Sequence, residues 1–456
     1  MKIHGNHASL IPRVPQYHGR DIQRAQKATG AVFLVVLLFL LPIDWFEPTG
    51  EVFREAGAKP SILIIGLGCA LSILMYGHNP SKNCQSRWLW CSLLVPLFGL
   101  GAFSYNQLNE WSEPLLYGKT PNRQFLYQSM LLAFSLTAPF FLSPLIKPLL
   151  KSDFLINAVF YAAIFHFTIF LFEWFSPDAS ACFLSYFRGP SGLIDRPSGL
   201  MSEPSYFGVF AALYAVPLIM YSQYSSRRIF IGLAIVACAV LINAKTIAAV
   251  FLGQILIFFW YRKRTWLLWV FAATGGMLTL YFIHSGLALN VSENLSSAMR
   301  LGSAVLGLNL IFHGYSLSGV GTGQFHFFYS PKFASDWLLA PPEFSLYLDG
   351  SYTSRASVFN LPIRAFVEFG IAGGIFYFYC MYRIICQAAS APFPYPVHRR
   401  SVAEPSLLVG LSFTGGGLGF LLTQDTYCYP PLIFGLSLLI ASTQTDGRTA
   451  CHPCPR

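Results

Sequence analysis

Residues 154–175 read FLINAVFYAAIFHFTIFLFEWF, and the 28 residues after them, 176–203, are polar and rich in proline, glycine and serine. A predominantly apolar run of 22 residues has the length of a helix that crosses a bilayer. The apolar residues follow one another without the alternation of a barrel strand, so the run predicts a membrane-spanning helix.

Windows of this kind recur along the whole chain. They lie at about 28–46, 61–77, 88–104, 125–146, 154–175, 204–222, 229–244, 246–261, 265–283, 358–384, 405–423 and 427–443. The chain has 456 residues, of which 54% are hydrophobic and only 11% are charged, against roughly 25% charged residues in soluble domains. The sequence therefore predicts an all-α polytopic membrane protein with about 12 transmembrane helices and two long outer loops, 176–203 and 284–357.

Charged residues alternate between the connections and set the predicted orientation. Basic residues mark the N-terminal arm and every second connection: His78/Lys82/Arg87, Lys147/Lys151, Arg227/Arg228, Arg262–Arg264 and His398–Arg400. Acidic residues mark the others: Glu47/Glu51/Glu55, Glu110/Glu113, Asp178/Asp195/Glu203 and Asp425. By the positive-inside rule, both termini are expected in the cytoplasm. The domains follow as a basic arm (1–27), one transmembrane domain (28–443) and a cytoplasmic tail (444–456).

The net charge of +10 is distributed over these short clusters. It is a topology signal, so we expect no nucleic-acid partner. No small-residue cleavage site follows the first apolar window, which predicts a retained first span.

The first outer loop ends in RGPSGLIDRPSGLMSEPSYFG, residues 188–208. Arginine binds phosphate in bidentate fashion, which makes Arg188 and Arg196 candidate anion-binding residues. Ser202 or Glu203, just before Pro204, could satisfy free amides at the start of the next helix. The alternative is that Arg196 reaches lipid headgroups and Glu203 only caps that helix.

The long outer loop holds three further features. Leu295, Met299, Leu306 and Leu310 recur at helical spacing around Arg300 and predict an amphipathic helix at the membrane interface. The GVGTG sequence at 319–323 predicts a tight turn, with Gly321 and Gly323 allowing close approach of a substrate. The loop is rich in aromatic residues, which suit sugar faces and equally suit an interfacial aromatic belt.

The segment SRASVFNLPIRAFVEFGIAGG, residues 354–374, enters the next predicted span. Arg364 and Glu368 are four residues apart on one helix and within ion-pair reach. Charged side chains inside a span usually face a cavity or a partner, so the pair is either functional or mutually neutralising. Lys245 lies between two spans at the outer end, and it too is either functional or neutralised by a partner.

These residues resemble the O-antigen polymerase and O-antigen ligase superfamily. The resemblance rests on the Arg196–Ser205 run, the glycines of 319–323 and the EFGIAG segment at 368–373. It covers residues 190–385 by motif and the whole chain by predicted topology. In the ligase branch, a histidine precedes Asn/Ser/Gln and two spaced glycines. Here Asn360, Gly370 and Gly373 fit that spacing but Phe359 takes the place of the histidine, which favours the polymerase branch.

The resemblance implies a glycosyltransferase that polymerises undecaprenyl-diphosphate-linked oligosaccharide units at the outer face of the bacterial cytoplasmic membrane. The lipid diphosphate is a built-in leaving group, so no cofactor or metal is expected. Arg196, Glu203, Arg300 and Glu368 are the implied catalytic residues. The implied substrate-binding residues are Arg188, Lys245, Arg355, Asn360, Arg364, Gly321 and Gly323.

The expected partners are the lipid-linked oligosaccharide, the bilayer, a chain-length regulator and a flippase. The alternatives are the ligase of the same superfamily and a transporter or flippase for the polysaccharide precursor. A transporter would gather polar groups at mid-membrane, whereas here they concentrate in the outer loops.

Overall fold

The computed structural model of the chain describes residues 17–48, 59–76, 85–108, 121–150, 153–187, 196–221, 225–244, 246–261, 303–304, 306–325, 360–389, 404–423 and 426–445. Within these ranges the secondary structure is helical, and they contain no β-strand. The main helices are α1 (Tyr17–Leu40), α2 (Pro60–Tyr76), α3 (Gln85–Leu108), α4 (Pro121–Ile146), α5 (Phe154–Phe175), α6 (Pro177–Leu184), α7 (Pro204–Met220), α8 (Ser226–Leu241), α9 (Thr246–Tyr261), α10 (Leu361–Ala389), α11 (Glu404–Leu421) and α12 (Pro430–Thr445). A short 3₁₀-helix, Lys147–Leu149, continues α4, and a second, Ser185–Phe187, follows α6; a π-helical turn covers Ile311–Tyr315.

Apolar length and composition identify the molecule as a helical membrane protein. Among the described residues, four segments are long and apolar enough to cross a bilayer: Asp21–Leu40, Pro121–Leu149, Phe154–Phe175 and Leu361–Cys386. Six shorter apolar helices accompany them: Pro60–Tyr76, Trp90–Ser104, Pro204–Met220, Thr246–Tyr261, Pro405–Leu421 and Pro430–Ser442. Eleven of the twelve predicted windows overlap a described helix, and the remaining window, 265–283, lies outside the described residues. The number of true spans and the two long outer loops stay predictions.

The exterior of the bundle is itself apolar. Large hydrophobic side chains stay exposed along the helices, among them Leu74, Leu126, Met130, Phe230, Val240 and Leu241. Apolar surface on this scale is the surface that a lipid environment covers.

Close backbone approach joins α9 to α11. A Cβ atom added at Gly253 would lie 2.1 Å from the Gly415 carbonyl oxygen, and one at Gly419 would lie 2.1 Å from the Ala249 carbonyl oxygen. Gly415 and Gly419 are four residues apart and form one face of α11. Small residues that let two backbones meet are the usual way in which membrane helices associate.

The helix ends sort into two groups. At one end, which we call the polar end, α1, α3, α5, α8 and α11 finish and α2, α4, α7, α9, α10 and α12 begin. Thr246 Oγ1 donates to the Ser205 carbonyl over 2.5 Å, and Asn360 Nδ2 donates to the Leu422 carbonyl over 3.2 Å at this end. At the opposite end, Arg228 Nη2 donates to Asn157 Oδ1 over 2.7 Å. Which side of a membrane each end faces stays a prediction.

Candidate functional site

The segment Arg196–Glu203 crosses the polar end and leads into α7. Its central residues, Leu200 and Met201, are buried, whereas Arg196 and Glu203 are exposed. Arg196 Nη1 donates to the Ile242 carbonyl over 2.9 Å, which directs the guanidinium over the α8–α9 turn. Within the part of the chain that the structure describes, this is the one hydrogen bond of the guanidinium, so its other N–H groups can bind an anion.

Two carboxylates from distant parts of the chain hold this segment. Glu173, buried at the end of α5, accepts hydrogen bonds at Oε2 from Ser198 N (2.9 Å) and Gly199 N (2.7 Å). Asp44, between α1 and α2, accepts from Ser202 N at Oδ1 over 2.8 Å and from the Ser202 hydroxyl at Oδ2. Charge-assisted bonds of this kind are about twice as strong as neutral ones, so the segment is fixed at both ends.

Glu203 occupies the N-cap position of α7, ahead of Pro204. Its side chain makes no cap hydrogen bond, and Ser205 Oγ donates to Glu203 Oε2 over 3.0 Å instead. The sequence left open whether Ser202 or Glu203 would satisfy the free amides of this helix. The Ser202 hydroxyl turns to Asp44, so neither described side chain caps α7 and the Glu203 carboxylate remains exposed.

A second polar cluster is buried in the first turns of α10. Arg364 Nε and Glu368 Oε1 form an ion pair of 2.8 Å, as their spacing predicts. Glu368 Oε2 accepts from Gly323 N (2.8 Å) and from the Tyr427 hydroxyl (2.7 Å). The Arg364 guanidinium also lies 4.6 Å from the Tyr427 ring centre. Both Glu368 oxygens are therefore engaged by the protein, which is the geometry of the mutually neutralising alternative.

The helix α10 is interrupted directly after this cluster. Gly370 adopts φ 69° and ψ 176°, a conformation outside the helical region. The carbonyl groups of Val367 and Glu368 accept hydrogen bonds from Val320 N (2.8 Å) and Gly321 N (2.9 Å), and Ile371 N donates to the Ser316 carbonyl over 2.8 Å. Backbone groups of segment 316–321 thus pair with the backbone groups of α10 that have no helical partner at the break.

The glycine-rich turn makes its close approach to the protein itself. Gly321 N points at the Glu368 carbonyl and Gly323 N at the Glu368 carboxylate. Extra Cβ atoms at these glycines would press on Phe103 of α3 and Gln128 of α4. In this structure the two amides therefore contribute to docking the turn, and their predicted contact with a substrate remains a prediction.

Asn360 serves as the cap of α10. Its Oδ1 accepts from Ile363 N over 3.0 Å while its Nδ2 reaches the Leu422 carbonyl. The remaining predicted site residues, Arg188, Lys245, Arg300 and Arg355, lie outside the described residues. Of the predicted amphipathic helix, the described part shows Leu306 and Leu310 buried.

The sequence missed Asp44, Glu173 and Tyr427. Glu173 carried a usable signal because it is a charged residue inside an apolar window. Asp44 carried the same signal, because it lies inside the predicted window 28–46. Tyr427 stands at the first position of a predicted window with no motif around it, and only its contacts reveal it. Burial raises the pKa of Asp44 to about 6, against the hydrogen bonds from Ser202 and the charge of Lys59, which lower it.

The geometry joins an exposed cation, an exposed carboxylate and a half-buried carboxylate of raised pKa at one end of the bundle. Such a surface is suited to binding an anionic group and to accepting a proton beside it. No protein-family model matches the chain, and no curated protein is significantly similar to it.

Proposed function

We propose that this chain is a membrane glycosyltransferase that polymerises undecaprenyl-diphosphate-linked oligosaccharide units into a surface polysaccharide at the outer face of the bacterial cytoplasmic membrane. The observation that carries the proposal is the segment Arg196–Glu203, which two carboxylates fix while its arginine and its glutamate stay exposed. This segment is also the longest part of the family resemblance.

Arg196 is assigned the role of a diphosphate contact. The departing diphosphate gains negative charge as the glycosidic bond breaks, and a fixed guanidinium stabilises that charge. A fixed donor is effective because it needs no reorganisation during the reaction. The hydrogen bond to the Ile242 carbonyl and the anchored backbone of Ser198 and Gly199 supply that fixation.

A precursor transporter is the second candidate, and the break in α10 favours it. Transporters bind their substrates at interrupted helices whose freed backbone groups face a passage. Here the freed carbonyl groups of Val367 and Glu368 accept hydrogen bonds from segment 316–321. The charged residues before the break, Arg364 and Glu368, are paired with each other as well. Because neither the backbone groups nor these charges are left for a transported substrate, the enzyme is supported over the transporter. The ligase of the same superfamily remains an alternative that only the acceptor distinguishes.

The test is the length of the surface polysaccharide made by cells that depend on this chain. Arg196→Ala should leave single or very short repeat units on the lipid carrier, with a rate loss of about 100-fold or more for loss of one charge-stabilising donor. The matched control is Arg227→Ala, since Arg227 is exposed at the opposite end of the bundle. That variant should make polymer of normal length.

Membrane abundance of both variants is measured in the same cells. Full-length polymer from Arg196→Ala at normal abundance contradicts the proposed site. Repeat units trapped on the cytoplasmic side would indicate the transporter instead. Units that fail only to reach a lipid acceptor would indicate the ligase.

A further inference from the structure

A small cavity lies at the polar end beside the anchored segment. It has a volume of about 30 Å³ and lies between the α1–α2 connection, α7 and the start of α12. The lining residues with polar side chains are Asp44, Lys59, Ser61, Tyr206, Tyr214 and Tyr429. A volume of this size accepts one water-sized group, such as a single hydroxyl.

The hydroxyl of Ser61 is a buried polar group in the lining of this cavity. Ser61 is 1% exposed, and its Oγ has no hydrogen-bond partner among the described residues. Buried hydroxyl groups are nearly always hydrogen-bonded, by protein, water or ligand. Ser61 therefore favours a polar occupant of the cavity.

Asp44 supplies a hydrogen-bond acceptor in the lining of the same cavity. Each of its oxygens takes one hydrogen bond from Ser202, and a carboxylate has about four lone-pair sites, so capacity remains. The other titratable groups that line the cavity are Lys59 ahead of α2, Tyr206 and Tyr214 on α7, and Tyr429 ahead of α12. The hydroxyl of Tyr214 already donates its hydrogen bond to the Leu38 carbonyl over 2.6 Å.

The lining of the cavity is partly aromatic. Tyr206 and Tyr429 both contact Phe420, with ring centres 5.6 and 4.7 Å away. Aromatic rings with a polar tip offer an apolar face and a hydrogen-bonding group together. A hydroxyl attached to a sugar ring suits this combination better than a free ion does.

We propose that the cavity receives the acceptor hydroxyl of the growing glycan and that Asp44 is the catalytic base that takes its proton. This inference rests on the proposed glycosyltransferase function. The acceptor oxygen forms a bond to the anomeric carbon of the donor sugar, and the bond from that carbon to the phosphate oxygen breaks. The electron pair of the broken bond leaves with the diphosphate, and the acceptor proton passes to Asp44 and then to solvent.

The position of Asp44 brings removal of the acceptor proton close to the proposed diphosphate contact. Ser202, which Asp44 holds, is adjacent to Glu203 and six residues from Arg196. The proposed base thus anchors the segment that carries the diphosphate contact. A pKa of about 6 leaves Asp44 mostly ionised at neutral pH while keeping it more basic than an ordinary aspartate.

The experiment uses the full-length chain in liposomes with lipid-linked repeat units extracted from cells that lack it. Elongation is followed between pH 5 and pH 8. The wild type should lose rate as pH falls through about 6, because protonated Asp44 no longer accepts a proton. Asp44→Asn should lower kcat by about 100-fold or more and leave the KM for the donor unchanged.

Two further variants separate a base from a structural residue. Ser202→Ala removes a hydrogen bond that favours the ionised carboxylate, and Lys59→Gln removes a favourable charge. Both variants should move the acid limb of the pH profile upward, whatever rate each retains at pH 8. Glu47 is an exposed acidic residue outside the cavity, so Glu47→Gln should leave the acid limb of the pH profile unchanged.

The outcomes distinguish the two proposals. Loss of elongation in Arg196→Ala with a normal rate and pH profile in Asp44→Asn overturns the assignment of Asp44 alone. Normal elongation in every variant, Arg196→Ala included, overturns the proposed function. A fixed acid limb in both Ser202→Ala and Lys59→Gln also contradicts Asp44 as the base, even if Asp44→Asn fails to fold.

Discussion

At the residue scale, the structure separates exposed charges from buried, paired ones. Arg196 and Glu203 remain accessible, while Arg364 and Glu368 neutralise each other in the interior. Both pairs looked alike in the sequence, because each combines an arginine and a glutamate near a predicted span. Burial and hydrogen-bond partners therefore distinguish two pairs that the sequence pattern treats alike.

The Arg364–Glu368 pair should behave as a structural unit. Arg364→Met leaves the buried Glu368 carboxylate without its cation and should lower the free energy of unfolding by about 3–5 kcal/mol. The double variant Arg364→Met/Glu368→Gln removes both charges and keeps an acceptor for Gly323 N and the Tyr427 hydroxyl. The double variant should therefore have a free energy of unfolding close to that of the wild type.

Thermal unfolding of the purified variants in detergent measures both effects. Polymer length tests the role in catalysis that the sequence assigned to Glu368. A double variant that is stable yet makes no polymer would show that the pair takes part in the reaction. Normal polymer from that variant would limit the pair to holding the fold.

At the element scale, α10 shows where a local pattern was incomplete. The window 358–384 is apolar throughout and predicts one continuous span, with no sign of an interrupted helix. Gly370, Gly373 and Gly374 look equivalent in the sequence, yet only Gly370 among them has positive φ. The difference comes from segment 316–321, whose amides pair with the carbonyl groups before the break.

Gly370→Ala should be strongly destabilising. Its backbone conformation is one that only glycine adopts easily, which costs another residue on the order of 1–3 kcal/mol. In addition, an added Cβ would lie 2.2 Å from the Leu317 carbonyl oxygen. The expected result is lower membrane abundance and a lower unfolding temperature in detergent.

Gly66→Ala on α2 is the matched control, because an added Cβ there has no atom within 4 Å. It should leave abundance and unfolding temperature unchanged. Equal behaviour of the two variants would mean that the break at Gly370 is dispensable.

At the scale of the whole molecule, the anchored segment and the two carboxylates that hold it lie at one end of the bundle. This polar end contains Asp44, Glu173, Arg196 and Glu203. The distribution of basic and acidic residues over the connections predicts that it faces the outside of the cytoplasm. The proposed chemistry requires this orientation, since the polymer is assembled on the outer face.

Cysteine labelling tests the orientation. In a background with Cys84, Cys182, Cys451 and Cys454 changed to serine, single cysteines are introduced by Glu47→Cys at the polar end and Ser226→Cys at the opposite end. Both native residues are exposed. A membrane-impermeant maleimide should label the first in intact spheroplasts and the second only after the membrane is opened. The reverse pattern would contradict both the topology and the proposed reaction.

The sequence by itself determined the helical membrane class and the approximate helix positions. Apolar length acts locally, because any chain segment in lipid must satisfy its own backbone hydrogen bonds. The pairing of Arg364 with Glu368 was equally predictable, since four residues make one helical turn.

Only the tertiary structure decided the composition of the candidate site. Asp44 reaches Ser202 across 158 positions of sequence, and Glu173 reaches Ser198 across 25. No local pattern encodes such contacts, because they depend on which helix ends the packing brings together. The cavity beside Ser61 and the raised pKa of Asp44 have the same origin, since both arise from burial among elements that are far apart in the chain.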